Sequence, residues 1–202
     1  MKIQCECGRF RSELTVFPKN TPGRMVCYCD DCQTYLHSLG RADLLDPHGG
    51  TEVIPVYPSE MKIIEGRNLL RCTRLSPKGL YRWSTTCCNT PVANIKPGVP
   101  YVGTLYRLYT VKDASYLSQV LGEVKCRIQG RFARGSVPER ASAKVSLQDM
   151  LILGPFLLKG VLLGKKKNAP FFESNGSTPI VNPRILSLEE RNRILQEIGF
   201  KP

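Results

Sequence analysis

The chain holds only two histidines, His37 and His48, and a single tryptophan in 202 residues. Neither histidine sits in a motif. Both read as ordinary surface residues, although His37 is placed where it could reach a cleft as a proton shuttle. No internal repeat and no low-complexity tract is present, which excludes solenoid and fibrous architectures. The N-terminus, Met1-Lys2-Ile3-Gln4-Cys5, has no apolar h-region, so a reducing, cytoplasmic compartment is expected. Acidic side chains are scarce: 17 Asp/Glu stand against 29 Lys/Arg, a formal charge of +12. No nucleic-acid-reading motif accompanies that charge, so nucleic acid is not the expected main partner. The one long apolar stretch, 147–163, spans roughly 25 Å as a helix and is interrupted by Gly154, Pro155, Lys159 and Gly160. A transmembrane span is therefore not expected. Two short helices broken at Gly154-Pro155 fit better, buried against the domain or serving a homo-oligomer contact.

What is abundant is cysteine, with nine residues. In a reducing compartment clustered thiols point to metal rather than disulfides. Cys27, Cys29 and Cys32 form a C-x-C-x-x-C triplet, too close together to be three independent core residues. They read as ligands of one zinc ion, with Cys5, Cys7, Cys87 and Cys88 forming a second site. Three protein thiolates leave a fourth coordination position free, as in catalytic rather than structural zinc sites. An alternative arithmetic puts one zinc on Cys5, Cys7, Cys29 and Cys32, as in a small ribbon. Cys72 and Cys126 lie in strand-like runs and read as small buried hydrophobes. Seven thiolates and two divalent ions would lower the net charge to about +9. Residues 124–202 carry 14 Lys/Arg against 6 Asp/Glu, so most of the excess lies there. Lys165–Lys167 directly follows the apolar stretch and permits contact with acidic lipid headgroups.

The coarse reading is mainly β. Phe10, Ser12, Leu14 and Val16 alternate with polar residues, and Arg24–Tyr28 forms a short strand that delivers Cys27. Asp30 and Asp31 open a helix that Gly40 ends, which puts Cys32 in its first turn. Strand-like runs follow at 52–57, 61–65, 69–75, 80–85, 91–95 and 101–109, a spacing that suits antiparallel sheets. Tyr81 and Trp83 flank Arg82 in the run leading into Cys87-Cys88. Another strand is expected within 124–130, then a basic loop. Ser187-x-x-Glu190 is a capping box for a final helix whose docking face is Leu188, Ile194, Leu195 and Ile198.

C-x-C-G near the start, C-x-C-x-x-C about twenty residues later, and an aromatic strand running into cysteine-x-Thr-Pro together resemble the glutathione-dependent formaldehyde-activating enzyme and centromere protein V (GFA-like) family, in its extended, uncharacterised branch. The resemblance covers about residues 1–122. It implies a tent-like fold of antiparallel sheets around two zinc sites, with a GFA-like zinc-binding β domain at 1–123. Residues 124–202 would be a basic, mixed and partly helical C-terminal extension packed on it. It also implies that Cys27, Cys29 and Cys32 are the catalytic zinc ligands and that Cys5 and Cys7 are half of the structural site. The family's C-x-x-C-G-[ST]-P departs here to Thr85-Thr86-Cys87-Cys88-Asn89-Thr90-Pro91. Cys88 matches the second family cysteine, Thr85 stands in place of the first, and Cys87 is the candidate substitute.

The expected activity is that of a carbon–sulfur lyase of the S-(hydroxymethyl)glutathione synthase type. Its partners would be a small thiol such as glutathione and a small aldehyde. The alternative is a non-catalytic zinc scaffold whose basic tail binds nucleic acid, a membrane surface or a protein partner.

Overall fold

The computed structural model describes residues 1–201, which form a mainly β structure of two sheets and five helices. In chain order the strands are β1 (Lys2–Gln4), β2 (Arg11–Leu14), β3 (Met25–Cys27), β4 (Thr51–Val56), β5 (Met61–Glu65), β6 (Leu70–Arg74), β7 (Tyr81–Thr85), β8 (Pro91–Ile95), β9 (Val102–Leu105), β10 (Cys126–Ile128) and β11 (Arg184–Ile185). The helices are α1 (Asp30–Ser38), α2 (Arg107–Thr110), α3 (Tyr116–Leu121), α4 (Leu147–Leu162) and α5 (Leu188–Glu197).

Strands β1, β2 and β5 form a small antiparallel sheet. The larger sheet runs β10-β3-β4-β9-β8-β7-β6-β11. Its six inner strands are antiparallel, whereas β10 and β11 pair in parallel with β3 and β6. Both edge strands thus come from beyond residue 123, and they cap the open edges of the sheet.

Alternate residues sort onto the two faces of the large sheet. One face sends Ile54, Val56, Trp83, Ala93 and Val102 into the main core, where they meet Ile3, Leu14 and Met61 of the small sheet and Phe10 just before β2. Phe171 stacks on Trp83 at 5.1 Å between ring centroids, so the C-terminal part completes this core. The opposite face is covered by α1 and α5 through Tyr35, Leu36, Leu39 and Ile194. A strand between two covered faces is buried throughout, which is why all five residues of β8 are inside.

Four expectations change. The run 101–109 is a strand only to Leu105, and the chain then turns into α2. Leu108, Tyr109 and Thr110 are buried in succession, and Tyr109 folds its hydroxyl back onto Thr104 Oγ1 at 2.6 Å. The stretch 147–163 is one helix, not two. Ser146 accepts from the Asp149 N–H while Asp149 accepts from the Ser146 N–H, a closed capping box. Pro155 forfeits only the bond to the Leu151 carbonyl, and Leu151 lies on the exposed side where water can serve that oxygen. Leu188 is 67% exposed, because α5 meets α1 at Arg191, beyond its first turn. Ile194, Leu195 and Ile198 do dock. The Ser187 box is half closed: Ser187 accepts from the Glu190 N–H, but the Glu190 carboxylate turns to Arg184 at 2.7 Å.

Helix α4 packs Ile152 and Leu153 against Met25, Val53, Leu105 and Cys126, and its tightest approach to the body is at Gly160. A Cβ on Gly160 would lie 2.7 Å from both Pro100 Cβ and Tyr57 Cε1. Tyr57 stacks on Phe156 at 4.3 Å and donates to the Phe156 carbonyl at 2.7 Å. Gly160→Ala is therefore expected to overpack this contact at a cost of about 1–3 kcal/mol. Thermal unfolding followed by circular dichroism should show the midpoint lowered by roughly 3–10 °C.

Candidate metal centres

The first sulfur group is assembled where β3 runs into α1. Cys27 ends the strand, opposite Thr51 of β4 and beside Ile128 of β10. Cys29 is the N-cap residue, and its sulfur accepts the Cys32 N–H at 3.4 Å. Cysteine thus fills the role that Ser or Asp usually plays at a helix start. The connecting turn is held by Gln33, which is fully buried and donates to the Tyr28 and Phe132 carbonyls at 2.8 and 2.9 Å. The sulfurs of Cys27, Cys29 and Cys32 all lie within 4.8 Å of one another, and no other His, Cys, Asp or Glu among the described residues joins them.

The second group joins two turns more than 75 residues apart. Cys5 and Cys7 leave β1 through a turn at Gly8, whose φ of +74° needs glycine. Cys87 and Cys88 lie between β7 and β8. Asn89, standing where the resemblance expects glycine, holds φ +52°, a region asparagine tolerates. It is braced by Arg71, which donates to its side-chain oxygen at 2.9 Å. The sulfur separations are 3.5 Å (Cys5–Cys7), 3.9 Å (Cys5–Cys87), 3.3 Å (Cys7–Cys87) and 3.7 Å (Cys87–Cys88). Cys87 therefore belongs to the group. Thr85 stays outside it, and its hydroxyl contacts Cys88 Sγ at 3.4 Å.

Because these groups are 5/7/87/88 and 27/29/32, the single-ribbon arrangement of Cys5, Cys7, Cys29 and Cys32 is overturned. The strands carry the two C-x-C turns to different places on the sheet.

A family model matches residues 1–182 of the chain. The chain belongs to the DUF6151 family, a family of unknown function. The DUF6151 match takes in both sulfur groups and all of α4. A Rhodobacter sphaeroides protein of known crystal structure is 18% identical, with 61% of this chain and 97% of that chain covered at a TM-score of 0.41. No curated protein matches the chain.

Do these DUF6151 sulfurs fit a metal? Zinc–sulfur bonds of about 2.3 Å in a tetrahedron require sulfurs roughly 3.8 Å apart. In the second group four of the six separations are 3.3–3.9 Å and all lie within 4.8 Å, which fits. Both groups also carry donors aimed at sulfur, as ligand thiolates need. The Phe10 N–H points at Cys5 at 3.2 Å, and the Thr90 hydroxyl touches Cys88 at 3.1 Å. Burial pushes the Cys5 thiol up to about 12. Burial acts on Cys88 the same way, but the Thr85 and Thr90 hydroxyls outweigh it and hold that thiol at about 5.

Sequence reasoning missed the residues that surround the three-sulfur group. Arg82, in β7 of this DUF6151 protein, is only 2% exposed. Its guanidinium lies 3.8 Å from Cys32 Sγ, 3.9 Å from Asp31 and 5.3 Å from the centre of the Tyr35 ring. Contacts with Cys27 and Cys29 outweigh burial and, helped by Arg82, hold the Cys32 thiol well below its ordinary value. Cross-strand from Arg82 is Asn94, and cross-strand from Asn94 is Gly103. The Tyr101 hydroxyl lies over Gly103, 2.6 Å from where a Cβ would stand. Arg82 Nε and Asn94 Oδ1 are both buried without a protein partner. The available signal was a charge between two aromatics in a strand buried on both faces.

The histidines lie elsewhere. His37 faces Arg134 at 3.4 Å, and burial together with that guanidinium holds it below its ordinary value. His48 Nδ1 meets the Arg134 carbonyl at 3.2 Å. Cys72 and Cys126 are each 2% exposed and outside both groups.

Proposed function

We propose that the protein is a zinc-dependent carbon–sulfur lyase-like enzyme for thiol–aldehyde adducts of the glutathione hemithioacetal type. In this reading Cys27, Cys29 and Cys32 hold a reactive zinc and Cys5, Cys7, Cys87 and Cys88 a structural one. One observation carries it: the second sulfur group has four donors, and the first has three beside a buried cation. The resemblance of the thiol pattern to the GFA-like family supports the same assignment. Zinc held by three thiolates would take an incoming thiol as fourth donor and lower its pKa toward neutrality.

The chain's own residues do the rest. Three thiolates around a divalent ion sum to one negative charge, which the Arg82 guanidinium balances without solvent. In the reaction the thiolate sulfur forms a bond to the aldehyde carbon. The carbonyl π pair becomes a lone pair on oxygen, and that oxygen takes one proton; the reverse direction breaks the same carbon–sulfur bond. Burial, together with the nearby thiols, raises the Tyr101 phenol. Its hydroxyl therefore keeps its proton and serves as the hydrogen-bond donor to that oxygen.

The test measures zinc per chain, glutathione binding, and hemithioacetal equilibration followed by exchange spectroscopy. Expected are two zinc ions, saturable glutathione binding, and a rate above the uncatalysed one that Cys29→Ser abolishes. Zinc-loaded protein that neither binds glutathione nor speeds equilibration overturns the proposal.

A further inference from the structure

Helix α4 is apolar on its outside. At about 100° per residue, Asp149, Phe156 and Gly160 fall within an arc of about 40°, and these are its buried residues. Leu147, Leu151, Leu158 and Leu162 fall within about 60° of one another on the opposite side. Their exposures are 79%, 69%, 60% and 74%, and Met150 and Val161 widen the stripe. No charge interrupts it. Asp149 is turned inward to cap Ser146, and Lys159 lies on the flank, donating to Asn20 at 3.0 Å. A helix that is apolar on both sides is one whose outer side is normally covered.

Charge indicates what covers it. Residues 144–167 contain five lysines and one acid, the buried Asp149. Lys165 is spent on Glu60 at 3.1 Å. Lys144 before the helix and Lys166 and Lys167 after it are exposed, so both ends of the stripe carry free cations. A second copy of the chain laid stripe to stripe would bring lysines against lysines, with no exposed acid on the helix to meet them. An anionic surface with an apolar interior meets both features. Leucines enter the acyl boundary while lysines reach phosphate headgroups. Among the described residues no helix is long and apolar enough to cross a membrane, so the stripe would lie in the plane of the surface.

We propose that α4 is a membrane-surface helix that docks the protein, stripe down, on bilayers rich in anionic phospholipid. This does not depend on the sulfur chemistry. The test is sedimentation of the full chain with vesicles of phosphatidylcholine alone or with a third phosphatidylserine, alongside sedimentation velocity without lipid. Expected is partition onto the anionic vesicles, lost in high salt, with little on phosphatidylcholine. Lys166→Ala with Lys167→Ala should weaken it roughly 25-fold, at about fivefold per lysine. Leu151→Glu with Leu158→Glu should abolish it. All four positions are exposed, and an unchanged circular-dichroism spectrum would verify the fold. Equal binding to both vesicle types, no binding to either, or a lipid-free dimer dispersed by the leucine variants overturns the proposal, the last in favour of a second copy.

Discussion

Cys88→Ser protein is expected to melt on the order of 10 °C below the parent, whereas Cys29→Ser protein melts within a few degrees of it. The difference lies in what each sulfur group joins. Cys5 and Cys7 sit in the first turn of the small sheet, and Cys87 and Cys88 in a turn of the large one, so the proposed ion between them closes a loop of about 80 residues. The two turns are otherwise joined by few bonds, among them the Glu6 N–H to Thr90 Oγ1 at 3.1 Å. A structural zinc supplies on the order of 10 kcal/mol of folding free energy, comparable with the whole net stability of a domain. Losing one of four thiolates forfeits about a third or more of that, and about 4 kcal/mol corresponds to the stated shift. Cys27, Cys29 and Cys32, by contrast, lie within six residues, on a turn already held by Gln33 and the α1 cap. Their loss opens no long loop. Metal analysis should find one zinc per chain in Cys29→Ser protein. Equal melting of the two variants would remove the division into structural and reactive groups.

The second large effect belongs to Arg82. Its charge is buried, and although burial works against it, Cys32, Cys29 and Asp31 more than offset that and keep it protonated. Arg82→Met removes the cation and leaves the proposed three-thiolate zinc with an unbalanced negative charge in a site with little water. Zinc affinity of that group should fall about 10–100-fold, the usual range for a residue supporting a metal ligand. Chelator competition would read two affinity classes, with only the weaker-held ion displaced further. The d–d bands of cobalt-substituted protein would report the same site without any turnover. Arg82→Lys keeps the charge but not the planar fork, and should recover part of the affinity. If Arg82→Met lowers stability yet leaves both affinities intact, the residue only fills space.

Much of the site was legible because its information is local. A C-x-x-C followed by a helix start brings Cys29 and Cys32 together whatever else the chain does, and Asp30-Asp31 announces that start. The strand runs were legible by alternation and by their turns, but Gly154-Pro155 reads as a break where the structure keeps α4 a single helix through Pro155. The lesson of 101–109 is different. A run of mostly apolar residues without clear alternation reads as strand or helix alike, and it is the tertiary packing, with Tyr109 folded back onto Thr104, that decides between them.

The amino-acid order alone therefore determined that seven thiols come in metal-ligand spacings, that the body is mainly β, and that the basic excess lies past residue 123. Tertiary structure decided that Cys87 and not Thr85 completes the second group, that Arg82 is inside, and that the leucines of α4 are outside. The physical reason is range. Spacing and periodicity report what a residue does relative to neighbours within a turn or two. Whether a guanidinium meets a sulfur 50 positions away, or a leucine meets solvent, depends on which distant element arrives to cover it.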